Sequence, residues 1–344
     1  MVIQKVAPVL KRTIKDMMNQ DAFFDHRFVI ADLGCSSGMN TLLVASDIIN
    51  TLHEACQENN RKTPQFQVCL NYLFGNDFNN LFQLLPNFYT TFKKDKGEIF
   101  GSCFVSAVPG SFYDRLFPDE SLHFVHSSYS VHWLSKVPEG LEDSKLNICI
   151  TKTSPLNVVQ AYRKHFCSDF TKFLQLRSEE MVRGGHMVLT IRGRSSLDPT
   201  SDDSNGFWEL LTVSLLEMLK EGLVRESDIN SFNIPFYFPH ENELGSIIEA
   251  HGSFSLDNMN IFETNWNQDD TDYTVMNEIA HQSNHKLEKR IAKSIRAIVE
   301  PLLTSHFGIS IIEKLFEKCE KNATQHLANK KKRDLSIVVS LTKK

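Results

Sequence analysis

Phe28-Val29-Ile30-Ala31-Asp32-Leu33-Gly34-Cys35-Ser36-Ser37-Gly38 is the stretch that decides the fold. An apolar strand that ends in Asp-Leu-Gly and opens onto a turn of small residues is how a doubly wound α/β sheet presents backbone amides to a nucleoside cofactor. The glycine spacing narrows the ligand. A dinucleotide fingerprint needs three glycines, as G-x-G-x-x-G, to bring a helix N-terminus against a pyrophosphate. Here only Gly34 and Gly38 punctuate the turn, and no phosphate-binding Lys follows them. A nucleoside without phosphate, such as S-adenosylmethionine, fits better. A plain strand-to-helix turn would also favour Gly and Ser, so the run alone leaves that reading open.

On either side of the run, hydrophobic periodicity sets the elements. Residues 4–18 read as an amphipathic helix, residues 28–32 as the first buried strand, and Asn40 to Ala55 as the helix covering it, with Leu42, Leu43, Ala45, Ile48, Ile49 and Leu52 on one stripe. Phe66 to Leu70, Cys103 to Val108 and Leu122 to Val125 are short and apolar, as buried parallel strands are. A helix from Val158 to Met181, a turn at Gly184-Gly185 and a fifth strand, His186 to Ile191, follow. Strand and helix alternate over about the first 195 residues, which predicts a parallel doubly wound sheet.

The remainder departs from alternation. Helices are expected over Phe207 to Glu221 and Glu241 to His251, with an extended aromatic segment, Asn233-Ile234-Pro235-Phe236-Tyr237-Phe238-Pro239, between them. A strand near Ser255 to Phe262, long helices near 275–303 and 309–328, and a last strand, Leu335 to Leu341, complete the chain. The last two strands are expected to join the sheet edge as an antiparallel pair. The division that follows is a core at 1–195, a mainly helical cap at 196–330 with an inserted edge strand near 255–262, and a strand at 331–344 returning to the core sheet.

With 344 residues, 41% hydrophobic and 23% charged, the chain can bury a substantial core. A formal charge of −5 gives no nucleic-acid footprint, and the one basic cluster, Lys330 to Arg333, reads as a solvated turn. Seven scattered cysteines without C-x-x-C spacing point to a reducing compartment and no zinc. Neither a signal peptide nor an apolar run of membrane length is found, so a cytoplasmic protein is expected. Twenty-five Phe residues recur in loops as well as strands, which fits either an aromatic-lined cavity or plain core filling.

Several blocks together resemble the plant SABATH methyltransferases. They are Asp32 to Gly38, Gly75-Asn76-Asp77-Phe78-Asn79, Val108 to Tyr113 with Arg115 to Pro118, His126 to Ser130 with His132 to Ser135, Ser231 to Pro235, and Arg296-Ala297 with Glu300-Pro301 and His306 to Gly308. That family includes salicylate, benzoate and jasmonate carboxyl methyltransferases and caffeine-pathway N-methyltransferases. The resemblance covers nearly the whole chain. It implies a Rossmann-like methyltransferase core (a parallel sheet with an antiparallel edge) plus an α-helical cap, S-adenosyl-L-methionine as donor, a small acid or xanthine as acceptor, and a homodimer.

Carried over by position, the resemblance places donor contacts on Cys35, Asn40, Tyr72, Leu73, Ser111, Phe112 and Ser128. Each lies at or just past the carboxyl end of an expected parallel strand, where an open α/β sheet holds its ligand. It places the acceptor pocket on Tyr129, His132, Trp133, Phe207, Trp208, Ile295 and Ile298. For Tyr129, His132 and Trp133 a helix start packing aromatics into the core is the competing reading. Arg192 falls where similar carboxyl methyltransferases have an apolar pocket residue. It would either clamp an acidic group or turn toward Asp198 or solvent. A Mg²⁺ site would fall on Ser144, Asn230, Phe232 and Asn233, a set without the carboxylate that Mg²⁺ usually takes.

Two departures from the family bear on activity. Its members begin with a segment that folds over the donor and offers a Gln to the acceptor, and this chain starts just before the helix that follows it, so those groups are expected to be missing. Tyr72 stands where the family has an Asp accepting both ribose hydroxyls, and Asn71 and Asp77 are the neighbours that would compensate. The expected function is methyl transfer to the carboxylate of a small acid, weakened by both departures. A xanthine-alkaloid N-methyltransferase and a non-catalytic paralogue or incomplete gene product are the alternatives.

Overall fold

A computed structural model describes residues 2–18, 26–96, 103–201, 206–265, 287–327 and 333–344. Its centre is a seven-stranded sheet in the order β3-β2-β1-β4-β5-β7-β6. The strands are β1 (Arg27–Leu33), β2 (Gln65–Tyr72), β3 (Cys103–Pro109), β4 (Leu122–Ser128), β5 (Met181–Gly193), β6 (Phe254–Asn265) and β7 (Arg333–Lys343). The first five are parallel neighbours, whereas β7 runs antiparallel to both β5 and β6. The expected antiparallel edge is present, with the C-terminal strand inside it and β6 outermost. Strand order reverses between β1 and β4, the switch point where such sheets open a crevice for a ligand.

Burial on both sheet faces explains the apolar runs. On one face Phe28 and Ile30 meet α1 (Val2–Met18), α2 (Asn40–Glu58) and α3 (Phe78–Lys96) through Leu10, Ile14, Ile49, Leu52, Leu81 and Phe88. On the other, Val29, Ala31 and Leu33 meet α4 (Leu156–Glu180) and α7 (Glu241–His251) through Tyr162, Phe166, Phe170, Phe173, Leu244 and Ile248. A third cluster stands apart from both. It joins α5 (Gly206–Lys220), α6 (Glu226–Asn230), α8 (Leu287–Phe307) and α9 (Ile312–Leu327) around Trp208, Leu211, Leu215, Ile295, Val299, Leu315 and Phe316. No helix among the described residues is long and apolar enough to cross a membrane.

The structure departs from expectation at several elements, the unexpected short α6 among them. Helix α3 was not expected; Pro86 inside it breaks the helical signal although its stripe of Leu81, Leu84, Leu85 and Phe88 is intact. Gly184-Gly185 is no turn but lies within β5. There the register jumps from Leu122↔Met181 to Phe124↔His186, a bulge taken up by Gly184 at φ +73°. The helix expected near 275–303 is seen as Leu287–Phe307, and its expected start lies outside the described residues.

Candidate active site

The carboxyl ends of β1, β2, β3 and β4 are tied into one hollow. Gly34 and Cys35 both donate their N–H to the Asn71 carbonyl, at 3.0 and 2.9 Å, and Gly110 N–H donates to the Tyr72 carbonyl at 2.9 Å. The Asn71 side chain, fully buried, donates through Nδ2 to the Val108 and Gly110 carbonyls at 2.8 and 3.0 Å. Ser130 Oγ closes the ring by donating to the Gly34 and Ser128 carbonyls at 3.2 and 3.1 Å. One residue thus staples three strand ends, its backbone carbonyl holding the end of β1 and its side-chain amide the end of β3, and Asn71 was legible only as a candidate ribose partner. Its Nδ2 is committed to the two carbonyls while its Oδ1 is left without a partner, and Asp77 Oδ1 accepts from the Asn80 N–H and caps α3.

Gly34 adopts φ +80°, and a Cβ there would lie 2.0 Å from Ser130 Oγ and 3.8 Å from the Phe112 ring. The turn therefore closes on Phe112 and Ser130 with room for a hydrogen only. Ser36, at φ +60°, offers its carbonyl to Asn76 Nδ2 at 3.2 Å, and Ser37 offers its own to Asn80 Nδ2 at 3.2 Å, lashing the glycine turn to the loop after β2. Ser111 Oγ accepts from Tyr113 N–H at 3.1 Å, and Asn40 is the first residue of α2. Cys35 is buried, and burial followed by the Asp32 carboxylate raises its thiol pKa, so it stands as a neutral wall. Leu73 and Phe74 are 56% and 81% exposed, at the solvent side of this hollow. Tyr72 is half-buried near Cys35, and burial raises its phenol pKa, so it presents a neutral hydroxyl. Asp32, which carries no role in the sequence reading beyond its motif, accepts from His126 Nδ1 at 2.8 Å and from Thr41 Oγ1, pinning the first turn of α2 beneath the hollow.

These features fit an adenosyl donor. The fully buried Asn71 Oδ1, left without a hydrogen-bond partner in the cradle formed by these strand ends, is the observation that carries the fit.

The aromatic residues gather next to that cradle. Trp133 N–H donates to the Ser130 carbonyl at 3.0 Å, so the two sites share a wall. Phe236 is the hub: its ring centroid lies 4.5 Å from His132, 4.9 Å from Trp133, 5.3 Å from Trp208 and 4.5 Å from Phe238. The 233–239 segment reaches this place because Leu134 N–H donates to the Pro235 carbonyl, Tyr237 N–H to the His132 carbonyl and Ile234 N–H to the Ile148 carbonyl, at 2.8, 3.0 and 2.7 Å. Its aromatic run was the available signal, although Phe236 was not among the expected site residues. Trp208, 1% exposed, holds an indole N–H without a partner in this apolar setting.

His132 is buried, and its Nδ1 accepts the Arg192 backbone N–H at 3.1 Å. Burial and then the Arg192 cation push its pKa well below the ordinary histidine value, so the ring is neutral with its proton on Nε2. Tyr129 takes φ +53°, an uncommon conformation for a non-glycine residue, with its hydroxyl 2.7 Å from Ser336 Oγ on β7. Ile295 is buried in the cap cluster beside Trp208, whereas Ile298 is 39% exposed and outside that cluster. Phe207 lies in the first turn of α5, and its side chain is outside the described residues. Arg192 turns neither to Asp198 nor to bulk solvent: it pairs with Asp334 on β7 and lies over the Phe238 ring at 5.6 Å.

The residues expected for Mg²⁺ do not fit that ion. Ser144 Oγ donates to the Asn147 carbonyl at 2.8 Å and to Asn233 Oδ1 at 3.4 Å, while Asn230 Oδ1 accepts the Leu146 N–H at 2.8 Å. Phe232 packs its ring 5.1 Å from both His306 and Phe307. Oxygens turned to internal hydrogen bonds, without a carboxylate, make a structural knot rather than a magnesium cage. Among the described residues no group of three or more His, Cys, Asp or Glu is placed to hold a metal.

A family model described as SAM-dependent carboxyl methyltransferase matches residues 1–344. The chain belongs to that family. A probable methyltransferase of Theobroma cacao is 46% identical over all of this chain and 93% of its own length. A benzoic acid/salicylic acid carboxyl methyltransferase of Petunia hybrida is 42% identical, over 99% of this chain and 92% of its own. In three dimensions the SABATH fold is shared with a loganic acid methyltransferase bound to S-adenosylhomocysteine (SAH). That likeness has a TM-score of 0.84 at 32% identity, covering 100% of this chain and 93% of that one.

Proposed function

We propose that this SABATH chain transfers a methyl group from S-adenosylmethionine to the carboxylate of a small aromatic or oxylipin acid of the salicylate, benzoate or jasmonate type. The observation that carries the reading is the shared wall at Ser130, with the Gly34 cradle on one side and the Trp133-Phe236-Trp208 cluster on the other. The donor supplies a sulfonium methyl. Cys35, Asn40, Tyr72, Leu73, Ser111, Phe112 and Ser128 would hold it, and Tyr129, His132, Trp133, Phe236 and Trp208 would hold the acid.

A carboxylic acid of pKa about 4 is already ionised at neutral pH, so no general base is needed. Alignment at about 3 Å in a dry site contributes several kcal/mol. His132 supports the carboxylate over a xanthine nitrogen, which must lose a proton: with Nδ1 filled and Nε2 protonated, the ring donates a hydrogen bond and does not take a proton. Arg192, already paired with Asp334, leaves orientation of the acid to the indole and imidazole N–H groups.

Competing product assays with salicylate, benzoate, jasmonate and 7-methylxanthine test the reading. Methyl esters are expected, and N-methyl product alone would reject it. Tyr72 offers a neutral hydroxyl where a carboxylate would make charge-assisted bonds worth about 1.5–3 kcal/mol each. Tyr72→Asp is therefore expected to lower the donor KM by tenfold or more, and an unchanged KM would remove Tyr72 from the donor site. A cytoplasmic homodimer, the finer part of the reading, is supported by seven cysteines that form no disulfide and by family membership; sedimentation equilibrium should give twice the chain mass.

A further inference from the structure

Arg177 and Glu180 are an ion pair, Nε to Oε2 at 2.8 Å, with both side chains fully buried in the last turn of α4. A buried pair is a poor source of stability, because apolar residues of similar volume cover a helix as well without the desolvation penalty. What an apolar pair cannot do is hold polar backbone in a fixed shape. Arg177 donates through Nη1 to the Phe112 carbonyl at 2.9 Å and through Nη2 to the Asp114 carbonyl at 3.2 Å. Glu180 Oε1 accepts the N–H groups of Leu116 and Phe117 at 2.7 and 3.2 Å. The cation takes carbonyls and the anion takes amides, so one pair holds four backbone groups of the 112–117 loop, beside the Tyr113 hydroxyl, which donates to the Val131 and Trp133 carbonyls at 3.2 and 2.6 Å. The Phe112 ring meets Phe173 edge-on at 6.0 Å, over which Arg177 also lies at 5.3 Å, and on its other side Phe112 faces the Gly34 cradle.

We propose that Arg177 and Glu180 are positioning residues for the donor: they preorganise the 111–117 loop so that Ser111 and Phe112 stand ready against the Gly34 turn. This rests on the donor reading given above. The cost of ordering the loop is met on folding rather than on binding, so the pair sets donor affinity and leaves the transfer step untouched.

SAH calorimetry and hydrogen exchange of the ligand-free protein test it, on wild type, Arg177→Lys, Glu180→Gln and the double variant Arg177→Met/Glu180→Met. Glu180→Gln keeps side-chain length and Arg177→Lys keeps the charge on a side chain one atom shorter, and whichever of the variants folds carries the test should another fail to fold. Expected are faster exchange at Leu116 and Phe117, SAH binding weakened tenfold or more in the double variant and by less in the conservative ones, and a donor KM raised in step. kcat at saturating donor and the KM for the acid should stay within twofold. Folded variants that bind SAH within twofold of wild type would overturn the inference alone. Wild-type protein that binds no SAH would instead overturn the donor reading beneath it.

Discussion

Because Gly34 sits at φ +80° with its α-hydrogen toward Ser130, the proposed donor turn tolerates no side chain there. Gly34→Ala meets both a backbone penalty of about 1–2 kcal/mol and a collision with Ser130, so SAH affinity should fall tenfold or more by calorimetry, along with Tm. Gly140 shares the positive φ, at +83°, but has open space around it, so Gly140→Ala should lower Tm and leave SAH binding unchanged. His132 makes a different prediction. Burial first and Arg192 second depress its folded pKa, so the unfolded chain binds the extra proton below about 6.5, the ordinary histidine value. Its stabilising share is present above that pH and is lost as the pH falls below it. Denaturant unfolding at pH 5 and 8 should show a smaller acid loss in His132→Gln than in wild type. The wild-type drop will not vanish, since burial also depresses His123 and His186.

Elements differed in how far they could be read from their residues. β1 to β4 announce themselves through short, mainly apolar runs, most fully in β1, where every residue after Arg27 is buried. Helix α3 hides behind Pro86, whose ring interrupts the pattern locally while the apolar stripe on either side still packs on β1 and β2. Gly184-Gly185 carries a turn signature, yet flanking pairs with β4 on both sides keep the chain extended and convert it to a bulge. The 233–239 segment is the element on which the proposed acceptor side depends. With Phe236 packed against His132, Trp133, Trp208 and Phe238, Phe236→Ala should cost about 3–5 kcal/mol in urea unfolding and raise the KM for the acid more than the KM for the donor. Equal rises in both would mean that the segment does not belong to the acceptor side.

At the scale of the whole molecule, the proposed site draws on all three clusters: Cys35 belongs to one sheet-facing core, Phe112 packs on the other, and Trp133 and Trp208 belong with the helical cluster. The strand ends that form the proposed donor side were legible in the residues because a strand-turn-helix run is local: Gly34, Cys35, Ser111 and Phe112 each sit within a few residues of a strand whose apolar pattern marks its own end. The acceptor side was legible only as a set of names. Arg192, read either as a clamp for an acidic group or as turning toward Asp198 or solvent, is held by Asp334, 142 residues along the chain, because β7 inserts beside β5. The Arg177–Glu180 grip on 112–117 and the Asn71 staple likewise join groups tens of residues apart. The sequence by itself determined the fold class and the donor chemistry, since periodicity and turn geometry are short-range properties of the chain. Only the tertiary structure decided which polar groups are already spent on internal partners and which, like the Trp208 N–H and Asn71 Oδ1, are left over. That depends on burial and on contacts between distant segments, which no local pattern encodes.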